Sequence, residues 1–221
     1  QLARQLAVEG LPPGVTATCG RILATGQDGC IMLHAAADAP AGAANIRITG
    51  TATHPVKDGQ PLQLSAVARP LQELYSPGGG RAHYPVEMHT VSVAEPMDIR
   101  SIKLTTSTVT LKPGESQKIE VDIERAPGMK QNVTLDVLYQ HLEQPYGNSL
   151  PKGVTLDIAN SKTLLTGEES KGFITLKAAA DAPAVEKQLV PIMAHVSVNF
   201  VMKMTYCGEP VFVTVALPAG K

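Results

Sequence analysis

Apolar residues along this chain recur at every second position in short runs, and turn-forming residues separate the runs. Ile31-Met32-Leu33-His34-Ala35 and Ile174-Thr175-Leu176-Lys177-Ala178 are representative. In each, alternation sends the first, third and fifth residues to one face, expected to be core, and leaves Met32, His34 or Thr175, Lys177 on the other. The same period of two predicts strands at Leu6–Val8, Val15–Thr18, Ile31–Ala36, Asn45–Thr53, Gln63–Ala68 and Val86–Val93. Further along it predicts Ile99–Thr105, Thr108–Leu111, Gln117–Glu124, Asn132–Tyr139, Val154–Ile158, Gly172–Ala178, Gln188–Val198 and Val211–Leu217. A 3.6-residue period is not sustained over helix length, and only Pro70–Tyr75 and Gln140–Gln144 offer a helical turn. Short strands with turn signals at this spacing favour an all-β sandwich.

Two motifs occur twice in the same order. Leu11-Pro12-Pro13-Gly14-Val15-Thr16 returns as Leu150-Pro151-Lys152-Gly153-Val154-Thr155, and Ile31 to Pro40 returns as Ile174 to Pro183, both ending in Asp-Ala-Pro. Thr25-Gly26 and Thr166-Gly167 lie between them. The sequence is therefore read as two copies of one domain, residues 1–95 and 96–221, parted near Ala94–Met97 where Pro96 ends a strand. Leu-Pro-x-Gly-Val-Thr reads as a corner: an apolar anchor, a turn opened by Pro, a Gly free to take positive φ, then a strand. Asp-Ala-Pro stops a strand, because Asp bonds its own backbone and Pro cannot donate to a ladder. Counting back from the corner, Leu6–Val8 matches Leu135–Val137. The second copy has about thirty more residues before that point, including the strands at Thr108–Leu111 and Gln117–Glu124, so the first copy is expected to lack its opening strands and to present an unpaired edge.

These residues resemble a known group. Leu11 to Val15, Ala37 to Pro40 and Asn45 to Ala52 are similar to Ig-like repeats found beside pre-peptidase C-terminal domains in large secreted bacterial proteins. Val109 to Ser116 followed by Val121 to Arg125 looks like the opening strands of the related Ig-like module associated with alpha-galactosidases. The resemblance implies two tandem Ig-like β-sandwich domains in an extracytoplasmic setting. It brings no catalytic residues.

Charge narrows the choice of partner. With 19 basic and 20 acidic residues and no long run of one sign, the chain has no footprint for nucleic acid or an anionic membrane. No run of apolar residues is long enough to cross a bilayer as a helix. The absence of Trp weakens the case for stacked sugar platforms without excluding sugar binding. Cys19 and Cys30 flank a turn and are candidates for a disulfide, the alternative being two small buried thiols, and Cys207 reads as a buried free thiol.

The candidate chemistry is sparse. The six histidines lack paired metal spacing, and no cofactor is implied. Glu87 and His89 share a face of the expected Val86–Val93 strand, a two-ligand start at most. Asp38 and Asp181 read as turn caps. Ser76 to Arg81 resembles a phosphate loop only in its glycines. A nucleophile elbow is missing, so catalysis is not expected.

The segment that invites a binding role is Arg69 to Pro85, expected as an exposed loop that carries Arg69, Tyr75, Arg81, His83 and Tyr84 around Pro77-Gly78-Gly79-Gly80. The reading is a non-catalytic structural or interaction module of a larger secreted or cell-surface bacterial protein. Its partners are other domains of the same polypeptide or a protein or glycan at the cell surface. The alternative is a carbohydrate- or peptide-binding module using that loop.

Overall fold

The computed structural model describes residues 4–57, 59–141, 144–199 and 202–216. Among the described residues the chain is all-β, with one short 3₁₀ turn at Ile158–Asn160. Its strands run β1 (Arg4–Glu9), β2 (Val15–Cys19), β3 (Arg21–Ile22), β4 (Ile31–Ala35), β5 (Gly42–His54), β6 (Leu62–Val67), β7 (Leu71–Ser76), β8 (Gly80–Pro85) and β9 (His89–Val93). They continue with β10 (Ile99–Leu104), β11 (Thr108–Leu111), β12 (Ser116–Arg125), β13 (Val133–Asp136), β14 (Tyr139–His141), β15 (Gln144–Gly147) and β16 (Val154–Leu156). The last six are β17 (Leu164–Leu165), β18 (Lys171–Ala178), β19 (Val185–Val190), β20 (Met193–Ser197), β21 (Lys203–Cys207) and β22 (Val211–Val215). Two compact units result: Gln1–Cys19 with Leu33–Glu95, and Gly20–Met32 with Pro96–Lys221.

Three sheets build the core of the second unit, β10-β12-β18-β16, β11-β22-β19 and β17-β13-β20-β21, and a two-stranded sheet β14-β15 accompanies them. Strand β12 shows why these residues form them. Ile119, Val121 and Ile123 are buried while Lys118, Glu120, Asp122 and Glu124 face solvent, so one period-two pattern supplies a core face and a wet face. All three sheets contribute to one core, with Ile119, Leu135, Leu165, Ile174, Leu176, Val190 and Val213 at most 1% exposed. At ~25 cal/mol per Å² of apolar surface removed from water, each such side chain stabilises the fold by roughly 1.5–3 kcal/mol. The segment Gly20–Met32 is tied to this unit by polar contacts. Buried Gln188 donates through Nε2 to the carbonyls of Arg21 (3.2 Å) and Ser149 (3.1 Å), and Asp28 accepts from the Asn148 N–H at 3.0 Å.

The first unit repeats part of this plan. Strands β1, β5 and β6 form an antiparallel sheet in that order, as β13, β20 and β21 do. Strand β2 pairs β4 as β16 pairs β18, and the first half of β5 pairs β9 as β19 pairs β22. The corners agree bond for bond. Val15 N–H donates to the Pro12 carbonyl at 3.1 Å and Val154 N–H to that of Pro151 at 2.9 Å. Ala36 N–H donates to Gly14 at 2.9 Å, and Ala179 N–H to Gly153 at 2.7 Å. Gly14 and Gly153 both sit at positive φ, +75° and +79°.

Several sequence expectations need correction. The strand read through Gln188–Val198 is two strands. Pro191 cannot donate to a ladder, and the chain changes sheet there, from β19 beside β22 to β20 beside β13. The corresponding β5 has no proline and runs continuously from one role to the other. Pro70–Tyr75 is not helical but β7 plus its approach, and the described part of Gln140–Gln144 belongs to the β14–β15 hairpin. Leu142, Glu143 and Leu217 lie outside the described residues. Strand β21 was not expected, although Met202, Met204 and Tyr206 alternate with Lys203 and Thr205. Leu33, expected in the core at the position matching Leu176, is 40% exposed where Leu176 is 0%, and Met32, expected on the outer face, is 7% exposed. The strands that cover Leu176 from one side, β10 to β12, have no counterpart among the described residues of the first unit.

Candidate functional site

The segment expected as a loop is a β-hairpin. Strands β7 and β8 pair in strict antiparallel register from Leu71↔Pro85 to Ser76↔Gly80. Pro77-Gly78-Gly79 closes the end: Gly79 N–H donates to the Ser76 carbonyl at 3.2 Å, with Gly78 and Gly79 at φ of +96° and +89°, where side-chained residues are strained. At the base, Val86 N–H donates to the Pro70 carbonyl at 2.9 Å.

Register sorts the candidate residues. Opposed residues share a face, so Leu71, Glu73, Arg81, His83 and Pro85 lie on one side, and Gln72, Leu74, Ala82 and Tyr84 on the other. Tyr75 and Arg81 are direct partners in register. His83 is opposite Glu73, with Nε2 2.8 Å from Oε2, an ion pair whenever the imidazole is protonated. Tyr84 is on the reverse face, 54% exposed and diagonal to Leu74, itself 51% exposed. Arg69 precedes the hairpin and pairs with Glu87 at 3.6 Å across its base, both well exposed. The candidates thus do not converge: Arg81 and His83 share a face, Tyr84 is opposite and Arg69 is at the root. Glu73, Leu71 and Leu74 were missed because three glycines concealed the alternation on either side of them.

The other sequence candidates stand apart. Glu87 lies in the bend before β9, not on a strand with His89, so that two-ligand face does not form. No group of three His, Cys, Asp or Glu able to hold a metal occurs among the described residues. The three cysteines carry free thiols. Burial pushes Cys30 up to about 11 and Cys207 to about 12, the neighbouring Cys30 adding to the latter, and the Cys207 thiol donates to the Ile192 carbonyl at 3.4 Å.

No family model and no curated protein matches this chain. Among solved structures, domains 4 and 5 of the S-layer protein SbsC match over 96% of this chain and 70% of that one, at 14% identity and a TM-score of 0.25. Among the described residues no helix is long and apolar enough to cross a membrane.

The most heavily bonded charged groups hold loops. Arg125 donates to the carbonyls of Glu169 (2.9 Å), Gln131 (2.8 Å) and Leu165 (3.4 Å), beside an open concavity of about 410 Å³ lined by Met129, Lys130 and Glu168. Glu169 accepts from the Thr166 N–H (2.8 Å) and hydroxyl (3.0 Å) and from Lys162 (2.9 Å). The Thr166 backbone bond contributes most to holding its carboxyl down at about 2. Buried Asp136 accepts from the Val137 and Leu138 N–H groups at 2.7 and 2.9 Å and from the Gln140 amide. His195, 4% exposed, meets the Thr205 hydroxyl through Nδ1 at 2.9 Å, and burial lowers its pKa.

Proposed function

We propose that this chain is a non-catalytic structural or interaction module of a larger secreted or cell-surface bacterial protein, each unit built on an Ig-like β-sandwich plan. One observation carries the reading. The charged side chains with the most partners are engaged with backbone, Glu169 and Asp136 with their own turns and Arg125 with the carbonyls of Gln131, Leu165 and Glu169, where they fix loops instead of presenting donors to a substrate. The repeated corner, with its matched glycines, is likewise a device for turning the chain.

A second reading is favoured by the hairpin. Leu74 and Tyr84 form an exposed apolar diagonal on one face, and paired β7 and β8 hold it in place, the kind of rigid platform that contacts a peptide or glycan. Because Pro70 and Val86 are already hydrogen-bonded, residues 71–85 can be replaced by a short Gly-Ser link with little strain. Glycan arrays and pull-downs with wild type and this deletion separate the readings. Binding lost on deletion supports the hairpin as the contact, and binding unchanged ends that idea. Turnover of a hydrolase substrate panel, or stoichiometric metal in the purified protein, contradicts the non-catalytic reading.

A further inference from the structure

Strand β20 is buried on both of its faces. Ala194 and Val196 belong to the core, and Met193 and His195, which alternate with them, are still only 6% and 4% exposed. Strand β21 extends that second face, with Cys207 opposite Met193 and Thr205 opposite His195. The Cys207 thiol donates to the Ile192 carbonyl at 3.4 Å, and the same carbonyl accepts from the Gly208 N–H at 3.0 Å.

The segment Gly20–Met32 belongs to the same compact unit and brings a second thiol to this place. Gly20 N–H donates to the Cys30 carbonyl at 2.8 Å, and a Cβ built on Gly20 would lie 2.7 Å from that oxygen and 3.1 Å from Cβ of Leu189. Cys30 is therefore held beside Leu189 and Cys207 beside Ile192, at the two ends of the short run in which Pro191 carries the chain from one sheet to the next. The thiols are close enough for a charge on Cys30 to act on Cys207. Cys19, the partner expected for Cys30 from the sequence, belongs to the first unit and is exposed.

We infer that Cys30 and Cys207 form a modification site, at which a small-molecule disulfide oxidises the two thiols to one cystine that ties the segment Gly20–Met32 to β21. Cys207, exposed as a residue, meets the oxidant first. Its thiolate attacks one sulfur of the oxidant, so that a mixed disulfide forms and the first thiol leaves; the Cys30 thiolate then displaces the second. Two cysteine thiols and one disulfide become one cystine and two released thiols, and the two cysteine protons leave on those thiols. The surroundings tolerate the change. Gly208 N–H keeps the Ile192 carbonyl satisfied once the Cys207 donor is gone, and a cystine carries no charge to desolvate. The bridged form is the one favoured outside a reducing cytosol. The inference goes beyond the interaction-module reading and stands without it, because the chemistry depends on redox poise.

The test equilibrates the full 221-residue chain with oxidised and reduced glutathione near pH 8, alkylates the remaining thiols and maps linked peptides by mass spectrometry. The three free thiols should fall to one, that of Cys19, and the linked peptides should join Cys30 to Cys207. The Cys19→Ser variant should form the same bridge. Repeating the equilibration in urea gives the constant for the unfolded chain. The folded chain should exceed it by roughly 30- to 1000-fold, the ratio that corresponds to the usual stabilisation by a native bridge. Three thiols persisting in the most oxidising buffer, a Cys19–Cys30 peptide in place of the expected one, or equal constants in the folded and unfolded chain would each overturn the inference.

Discussion

Gly14 and Gly153 show how much a single position can decide. At Gly153, φ is +79° and an added Cβ would lie 3.0 Å from both Cα and Cβ of Ala182; at Gly14 it would lie 2.9 Å from Cα of Ala39 and 2.8 Å from its Cβ. A side chain is therefore both strained and crowded, and Gly153→Ala should destabilise the second unit by about 1–3 kcal/mol, read from urea denaturation. His195 makes a different prediction. Its folded pKa lies below the unfolded value near 6.5, through burial, opposed by Asp136 and reinforced by Lys203. Between the two values the unfolded chain binds more protons, so this contribution is constant above pH ~6.5 and is lost as pH falls through it. The Tm of His195→Gln should therefore fall less between pH 7.5 and 5.5 than that of wild type, whatever its level at neutral pH; equal slopes contradict the assignment. The sequence could expose the glycine role, because Leu-Pro-x-Gly-Val-Thr has few other uses. It could not expose the His195 role, which depends on Thr205 meeting it across the β20–β21 pair.

Strands were legible in most places where alternation was clean, β21 excepted. The chemistry of β11 and β12 is plain in Val109, Leu111, Ile119, Val121 and Ile123, and both lie where alternation places them. Reading failed where a breaker carried two meanings. Pro191 marks a change of sheet inside an apolar run, and Gly78 to Gly80 mark a tight hairpin end instead of a loop. The candidate site fared accordingly: its residues were found, but register divides Tyr84 from Arg81 and His83, and register is set by the turn. The paired leucines give the prediction that belongs to this scale. Leu176→Ala should cost about 2–5 kcal/mol, because its side chain is enclosed. Leu33→Ala, at the matching position on an open edge, should stay within about 0.5 kcal/mol.

Across the whole molecule, the strand orders of the two units agree in part, and among the described residues only the second has strands in the places of β10 to β12. The motifs repeated in sequence become the same bonds at the corners, and strand orders β1-β5-β6 and β13-β20-β21 agree. What the motifs could not reveal is the energetic inequality between the copies. Leu33 and Leu176 read alike in sequence, yet only one is covered, because cover comes from strands that lie far away along the chain. Native-state hydrogen exchange on the chain alone tests this directly. Amides of Lys171–Ala178 should exchange at least roughly a hundredfold more slowly than those of Leu33–Ala35, since opening β18 requires unfolding a closed core and opening β4 requires little. Equal protection of the two strands would show that the first unit is closed, and would contradict the account.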